Sequence, residues 1–476
     1  MEEFFVGECE NINKSEWYEI IVKKKSIKKI VISLAVLVAI LIVIVTAFVW
    51  FYNHVYGTFS IPRWMRPTHE ALKRVEDYHP YHNYNEPEDS FIPRIDIFME
   101  EDYGLSGTKY TDCTVQISNA DEYNLEASDA KIRIRGKTTQ HSGKKPYKIK
   151  FLEETSLFGG GKEKSWVLLA NATDITGIHN YVSLEVARKI MAEGTFVPMV
   201  HFVNLYINGK YQGVYNLCDQ VEAGDMRVPI SDKIEDTPSE TDYLVVNDLY
   251  AYYEGYEGEG LSWFWLDKTI APIEVKSPDT DDYMYCEEYT DYIKKRLDDI
   301  YDVILTRDWN AIQDVIDTDS VINGFLGSII CNNEDISWKS VYFYLPAGGR
   351  LTYGPVWDMD LTFGAGSLNG YHSILGEKAR YNVFFGQLLK VPEFEKALKD
   401  RYKEIYPSME QFIEDKIDEA VSFVGNDLEN EFNIRADWGR YGTAEYKAAQ
   451  TYKESIDYMK LWTHERLEYL YSYYNK

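Results

Sequence analysis

The chain has 476 residues, of which 45% are hydrophobic, so it can bury a large core and is not a disordered protein. Its formal net charge is −27 and its pI is about 4.8, which argues against nucleic-acid binding because no basic face is left to neutralise phosphates. Such a surface suits a basic protein or peptide partner, although it also simply keeps a folded domain soluble.

An apolar run with only two polar interruptions covers residues 30–51. At about 1.5 Å of helical rise per residue, the run is long enough to cross a bilayer and predicts one transmembrane helix. Lysines crowd its N-terminal side, whereas Arg63 and Arg66 are the only cations close beyond it. The positive-inside rule therefore predicts a cytoplasmic tail over 1–29 and a large extracytoplasmic domain. The bulky residues after the run make it a poor cleavable signal peptide.

The rest of the chain changes character twice. Residues 52–90 are dense in Pro, His, Tyr and Asn and predict a juxtamembrane linker. Over 91–222 apolar and polar residues mostly alternate with period two, which predicts a β-rich N-terminal lobe with a tight hairpin at Asn208-Gly209. Residues 223–278 are loop-rich and acidic, and helical spacing dominates the remaining residues. The range 223–476 is therefore expected to form a mainly helical C-terminal lobe.

Two aspartates, Asp335 in NNEDISWKS and Asp358 in PVWDMDLTFG, flank a predicted hairpin. The segment SVINGFLGSIIC before Asp335 has the spacing of a buried helix, and VYFYLPAGGRLTYGPVW after it contains two strands around a turn. In eukaryotic-like kinases this order places a loop aspartate against the substrate hydroxyl and a second aspartate on magnesium. Asp335 is thus a candidate base and Asp358 a candidate metal ligand, with Asp360 beside it. Taken singly, an aspartate next to a hairpin is more often a turn residue.

A basic segment, RIRGKTTQHSGKKPYKIKF, combines a predicted strand, a loop between Gly136 and Gly143, and a second strand. Backbone N–H groups of such a loop, together with a lysine, can hold phosphates, although the spacing is not that of a Walker A motif. Lys144 and Lys148 share one face if both lie in the strand. One of them would then contact phosphates and pair with Glu185 on the following helix. The alternative is that the lysines are solvated and Glu185 forms an exposed ion pair.

Five blocks in this order resemble the spore coat protein H (CotH) kinase family: RIRGKTTQHSGKKPYKIKF, WVLLANATDITGIHNYVSLE, VNLYINGKYQGVYNLCDQV, NNEDISWKSVYFY and GPVWDMDLTFG. They span roughly residues 130–365. The resemblance implies an α+β, divergent protein-kinase-like fold of two lobes, here preceded by the transmembrane helix. It also implies an atypical protein Ser/Thr kinase that uses ATP with Mg²⁺ or Mn²⁺, and some members of the family phosphorylate spore coat proteins.

The candidate site residues fall into three groups under this resemblance. The catalytic candidates are Asp335, Lys144 and Glu185, the nucleotide-contacting candidates are Arg135, Gly136, Lys144, Lys148 and Asp219, and the metal-binding candidates are Asp358, Asp360 and Ser340.

Three residues depart from the family pattern. Ser340 stands five residues after Asp335, where kinases place an asparagine for the second metal. His179 stands where the family often has arginine, and Asp219 replaces the more usual glutamate. The expected function is phosphorylation of basic, Ser-rich surface or spore-associated proteins. The alternatives are an inactive pseudokinase that serves as a cell-surface binding or scaffold module, and a metal-dependent hydrolase built on the same aspartates.

Overall fold

The computed structural model describes residues 74–100, 104–249, 260–269, 271–337, 339–365, 382–434 and 449–475, together with Ile40 and Val43. The chain divides into two units, residues 1–59 and 60–476, and the strands and helices of the fold belong to the second. Apart from Ile40 and Val43, the predicted anchor at 30–51 lies outside the described residues. Within the described part, no helix is long and apolar enough to cross a membrane.

Seven strands of the second unit close into a barrel. They are β1 (Arg94–Phe98), β2 (Thr111–Ser118), β3 (Leu125–Ile134), β4 (Tyr147–Ser156), β5 (Lys162–Leu169), β6 (Val200–Ile207) and β7 (Lys210–Asp219). Neighbouring strands are antiparallel, except that β1 pairs in parallel with β6 and so completes the order β1-β2-β3-β4-β5-β7-β6. Alternate side chains fill the interior with aliphatic and aromatic groups. Polar residues between them, such as Lys148, therefore lie on the outer face.

A first helix, α1 (His179–Ile190), stands between β5 and β6. The turn before it is shaped by Asp174, whose carboxylate accepts hydrogen bonds of 2.8 to 2.9 Å from three backbone N–H groups between residues 176 and 179. These N–H groups have no partner within the helix, so an acidic side chain at this end stabilises its first turn.

A second, antiparallel sheet has the strand order β12-β11-β8-β10-β9. Its strands are β8 (Tyr243–Asn247), β9 (Trp263–Trp265), β10 (Pro272–Ser277), β11 (Val341–Leu345) and β12 (Thr352–Tyr353). The pairing of β11 with β12 confirms the predicted hairpin. Three strands of this sheet come from the range 223–278, which was expected to be loop-rich, and the prediction missed these strands. These strands are short and are joined by polar or glycine-containing segments, so their periodic signal is weak.

The described residues contain six further α-helices. They are α2 (Glu287–Thr306), α3 (Trp309–Val315), α4 (Thr318–Ile330), α5 (Phe385–Leu388), α6 (Pro392–Ile434) and α7 (Tyr452–Tyr474). Helix α4 confirms the buried helix predicted before Asp335. The largest hydrophobic cluster joins α1, α2, α4, α6 and α7 to the second sheet, so the helices and this sheet share one core.

The fold class inferred from the resemblance is therefore wrong. A two-lobed kinase-like fold does not fit a closed barrel together with a five-stranded sheet in the range that was predicted to be helical. The predicted transmembrane helix has no counterpart among the helices of the described residues. Closure of the barrel depends on pairs such as Arg94 with Asn204. Periodicity within one segment carries no information about such distant pairs. The predicted domain limits stay a prediction.

A buried ion pair joins the barrel to α6. Lys144 Nζ lies 2.6 Å from Glu431 Oε1, and neither side chain is more than 3% exposed. Lys144 also donates to the Val214 carbonyl, and Glu431 accepts from the Val214 N–H at 2.5 Å. One turn earlier, Asp427 accepts a hydrogen bond of 2.9 Å from Asn204. Charged contacts thus fix the end of α6 to strands of the barrel.

We expect Lys144→Met and Glu431→Gln each to lower the free energy of unfolding by about 3 kcal/mol, because either change leaves its partner buried without the opposite charge. The measurement is denaturant unfolding of the full chain. The double variant Lys144→Met/Glu431→Gln should lose less than the sum of the two single losses. Single losses below about 0.5 kcal/mol, the usual size for surface changes, would contradict this account.

Candidate active site

Asp335 begins a short 3-10 turn, Asp335–Ser337, soon after the end of α4. Its side chain is only 12% exposed and lies 3.3 Å from the Lys339 ammonium. Burial and the neighbouring Asp358 raise the pKa of Asp335 to about 6, against the opposing effect of Lys339. Burial and Asp358 likewise raise the pKa of Asp360 to about 7. The structure therefore brings Asp335 and Asp358 close together, as the hairpin predicted, and Asp360 also lies near Asp358.

Asp358 has an unusual backbone. Its φ is +62°, and Ser340 on the facing segment has a φ of +54°, a left-handed conformation that residues other than glycine seldom adopt. The Ser340 hydroxyl donates to Asp358 Oδ2 at 2.9 Å. Strained residues of this kind persist where the surrounding contacts determine the backbone, and they concentrate at functional sites.

The N-terminal end of α1 holds the loop that carries Asp360. The Met359 N–H donates to Asn180 Oδ1 at 3.0 Å, and the Thr173 hydroxyl donates to Asp360 Oδ2 at 2.5 Å. His179 Nδ1 lies 3.3 Å from the Asp360 carbonyl oxygen. Sequence reasoning assigned no role to Thr173 or Asn180, although both belong to the block WVLLANATDITGIHNYVSLE. Their position as polar residues around a predicted helix start was the available signal.

A cation faces the carboxylates from the barrel. The Arg135 guanidinium, just after β3, lies 5.5 Å from the centre of the Trp357 ring. Burial lowers the pKa of Arg135, and the nearby Asp358 opposes this change. Arg135 and Asp358 are thus close enough to interact electrostatically, although no ion pair within 4 Å joins them among the described residues.

Lys148 on β4 extends this basic face. It lies directly opposite Arg133 of β3 in the antiparallel register. Burial lowers the pKa of Lys148 to about 8, Glu222 opposes the change, and Arg133 and Arg135 add to it. Like charges that face each other across strands are unfavourable. Their presence here favours an anionic ligand that would offset the repulsion.

A third cation, Lys137, links the barrel to the second sheet. Its ammonium lies 3.1 Å from Glu274 Oε2 on β10 and 3.4 Å from Asp248 Oδ2, which follows β8. Burial raises the pKa of Glu274, but Lys276 and Lys137 outweigh it and hold that pKa at about 2. Asp248 in turn contributes to the raised pKa of Asp335. None of these residues was a candidate from the sequence, because the strands that carry the acidic partners were missed.

Gly136 stands between two of these cations. Its φ is +83°, a conformation that favours glycine, and an added Cβ would displace the Thr139 hydroxyl. Its carbonyl accepts hydrogen bonds from Arg74 at 2.9 Å and from Gln140 at 3.1 Å. This reversal of the chain allows Arg135 to lie near Asp358 while Lys137 reaches the second sheet.

The structure places the other candidates elsewhere. Lys144 pairs with Glu431, whereas Glu185 pairs with Arg188 and lies 3.5 Å from Lys416. The proposed pairing of Lys144 with Glu185 is therefore not formed in this structure.

Asp219 also has its own partner. Its Oδ1 lies 3.0 Å from Arg227 Nη1, and its Oδ2 accepts from the Met199 N–H at 2.8 Å. Burial raises the pKa of Asp219, and Arg227 opposes the change. The pair is enclosed between barrel strands and the segment after β7, where it stabilises the local fold.

Within the described ranges, no group of three or more His, Cys, Asp or Glu side chains is arranged to hold a metal ion. Magnesium commonly binds through one or two carboxylates together with phosphate oxygens and water. Burial and Asp358 raise the pKa of Asp335 and Asp360, and a divalent cation would stabilise the charged form of such carboxylates. The residues present therefore fit a cation that arrives with a phosphate-bearing ligand.

A cluster of acidic side chains thus lies near a basic surface of the barrel. Over residues 132–470 the chain matches the family model described as CotH kinase protein, and it belongs to that family. The matched range contains both aspartate loops, α1 and the basic strand, which confirms the resemblance recognised in the sequence. No curated protein matches the chain.

We expect Asp360→Asn to raise the melting temperature more at pH 8 than at pH 5. A carboxyl with a raised pKa binds protons more tightly in the folded state, so the free energy of unfolding falls as pH rises from 3.8 to about 7. Removing this charge should recover at least about 1 kcal/mol at pH 8. Thermal unfolding at the two pH values provides the measurement, with the exposed Asp112→Asn as control. Equal gains at both pH values would contradict this explanation.

Proposed function

We propose that this protein is an ATP-dependent protein Ser/Thr kinase. One observation carries the proposal: Asp358 interacts electrostatically both with the acidic Asp335 and with the cation Arg135. Transfer of a phosphoryl group from a nucleotide needs carboxylates for a metal and a base, and cations for the phosphates, within one small volume. The described residues supply both kinds of charge.

Asp335 is the proposed base. Its carboxylate accepts the proton of the acceptor hydroxyl while that oxygen forms a bond to the γ-phosphorus. The bond between the γ-phosphorus and the bridging oxygen breaks, and ADP leaves with that electron pair. The hydrogen bond of 2.9 Å from the Asp335 N–H to Asn333 Oδ1 and the Lys339 ammonium orient this carboxylate.

Asp358 and Asp360 are the proposed ligands for Mg²⁺ or Mn²⁺. A divalent cation would supply neutralisation of the charge on the phosphate oxygens. Ser340 fixes one oxygen of Asp358, and Thr173 does the same for Asp360. Both carboxylates are thus oriented by hydroxyl groups before any ligand arrives.

Arg135 and Lys148 are the proposed contacts for the nucleotide phosphates, with Gly136 providing the turn between the cations. Lys144, Glu185 and Asp219 take no part in this assignment, because their charges are used in ion pairs with other side chains. The acceptor is proposed to be a basic, Ser-rich protein, which the net charge of −27 supports.

Transfer to a basic Ser-rich peptide should fall at least about 10²-fold in Asp335→Asn, because general-base catalysis contributes on that scale. Asp358→Ala should abolish transfer and also the rise in melting temperature that ATP with Mg²⁺ gives the wild-type protein. The assay is incorporation of labelled phosphate by the full chain. Asp112→Asn, an exposed change on β2, serves as control and should transfer normally.

Label transfer that survives both Asp335→Asn and Asp358→Ala would refute the kinase assignment. Ser340, which stands where kinases have an asparagine, motivates the second candidate, a scaffold that does not transfer phosphate. A wild-type protein whose melting temperature does not respond to ATP with metal would support that candidate. Free phosphate released without labelled peptide would instead indicate a hydrolase.

We expect Lys148→Met to raise the KM for ATP about tenfold, because one charge-assisted hydrogen bond to phosphate contributes energy of that size. Lys150→Met is the matched control, since Lys150 lies on the same strand but is exposed. Steady-state kinetics at saturating peptide gives the KM for ATP of the two variants. An equal change in the two variants would show that Lys148 acts only through general surface charge.

A further inference from the structure

We propose that Arg466, on the last helix α7, is a positioning residue that holds the loop carrying Asp335 in its active geometry. The proposal rests on the kinase function proposed for the aspartate site. Arg466 is fully buried, belongs to none of the sequence blocks that suggested a site, and lies more than a hundred residues after the last site aspartate.

The Arg466 guanidinium contacts the end of α4. Its Nε and Nη2 donate to the Ile329 carbonyl at 3.1 and 2.8 Å, and Nη2 donates to Asn332 Oδ1 at 3.2 Å. Carbonyl groups in the last turn of a helix lack partners within the helix, and a cation there is favourable to the helix dipole. Asn332 has a φ of +55°, so Arg466 supports the residue at which the chain turns out of α4.

The next residue carries this constraint to both aspartate loops. The Asn333 N–H donates to the Ser328 carbonyl at 2.8 Å, and Asn333 Oδ1 accepts from the Asp335 N–H at 2.9 Å. Asn333 Nδ2 also lies 3.0 Å from the sulfur of Met359. A short path of direct contacts therefore runs from Arg466 through Asn332 and Asn333 to the proposed base.

Helix α7 touches the second loop as well. The Trp462 ring meets Phe363 edge to face, with ring centres 5.7 Å apart. A Cβ on Gly364 would come within 2.8 Å of the Tyr458 hydroxyl and 3.0 Å of Trp462. One helix thus abuts the loops of both Asp335 and Asp358, so its position sets their spacing.

Arg401 offers a matched control. It donates from Nη2 to the carbonyl of Ile190, the last residue of α1, at 3.0 Å, and from Nε to Asn323 Oδ1 at 2.9 Å. These are the same two kinds of contact that Arg466 makes. They lie at the end of α1 opposite to the residues that hold the Asp360 loop. Arg401 differs from Arg466 in being 29% exposed and in pairing with Glu404, so a purely structural role predicts a larger loss of stability in Arg466→Gln. Only a positioning role predicts that kcat falls in Arg466→Gln and not in Arg401→Gln.

The test compares Arg466→Gln with Arg401→Gln in the full chain. Arg466→Gln should lower kcat at least about tenfold with little change in the KM for ATP, because a small displacement of a reacting group reduces rate more than binding. Arg401→Gln should leave kcat within about twofold of wild type while lowering the melting temperature. Lysine keeps the charge but not the planar fork of donors, so the kcat of Arg466→Lys should lie between those of Arg466→Gln and the wild type. Arg466→Lys provides a second variant if Arg466→Gln folds poorly.

Hydrogen exchange supplies a readout that does not need activity. Amides of residues 329–337 should exchange faster in Arg466→Gln and not in Arg401→Gln. Equal losses of kcat in the two variants, or unchanged exchange over 329–337 in Arg466→Gln, would overturn the proposal. A wild-type protein without transfer would refute the kinase function instead, and the exchange comparison would still decide whether Arg466 holds this loop.

Discussion

The site depends on holding three acidic side chains close together in a largely buried place. Burial raises the pKa of two of these carboxyls, Asp335 and Asp360, and repulsion from Asp358, which is stronger away from water, raises it further. Contacts that do not use the acidic groups must offset this repulsion. The Glu334 N–H donates to the Leu361 carbonyl at 3.2 Å, and the Phe363 N–H donates to the Cys331 carbonyl at 2.9 Å. The two loops therefore hold each other through main-chain hydrogen bonds and not through their acidic side chains.

The barrel and the second sheet contribute opposite charges to this arrangement. Strands β3 and β4 present arginine and lysine on their outer face, because period-two alternation commits the apolar residues of the same strands to the interior. The sheet side contributes acidic groups, of which Glu274 and Asp248 are bridged by Lys137 from the barrel. That bridge fixes the distance between the two surfaces. The other two cations, Arg135 and Lys148, have no carboxylate partner within 4 Å among the described residues. A ligand with several negative charges would pair with them and so add a second link between the two surfaces.

Much of the centre of the site was predictable because its signals are local. The helix before Asp335 and the hairpin after it follow from spacing within about forty residues, and these two elements determine that Asp335 and Asp358 meet. The rest depends on pairs that no local pattern marks. Lys144 finds its partner Glu431 at a separation of 287 residues, and the barrel closes by joining β1 to β6. The sequence therefore identifies Lys144 as a lysine of a basic strand. It does not show whether this lysine binds a phosphate or a distant glutamate.

The backbone conformation of Ser340 explains the effect of having a serine where kinases have an asparagine. A φ of +54° is a conformation in which asparagine is several-fold enriched, and kinases use an asparagine at this spacing to bind a second metal. Serine has a shorter side chain, and its hydroxyl hydrogen is directed to Asp358. It therefore orients a carboxylate instead of offering an amide oxygen to a cation. In the proposed kinase this change reduces the number of metal ligands by one without disturbing Asp358, so the first metal position and the base are unaffected while the second position is weakened.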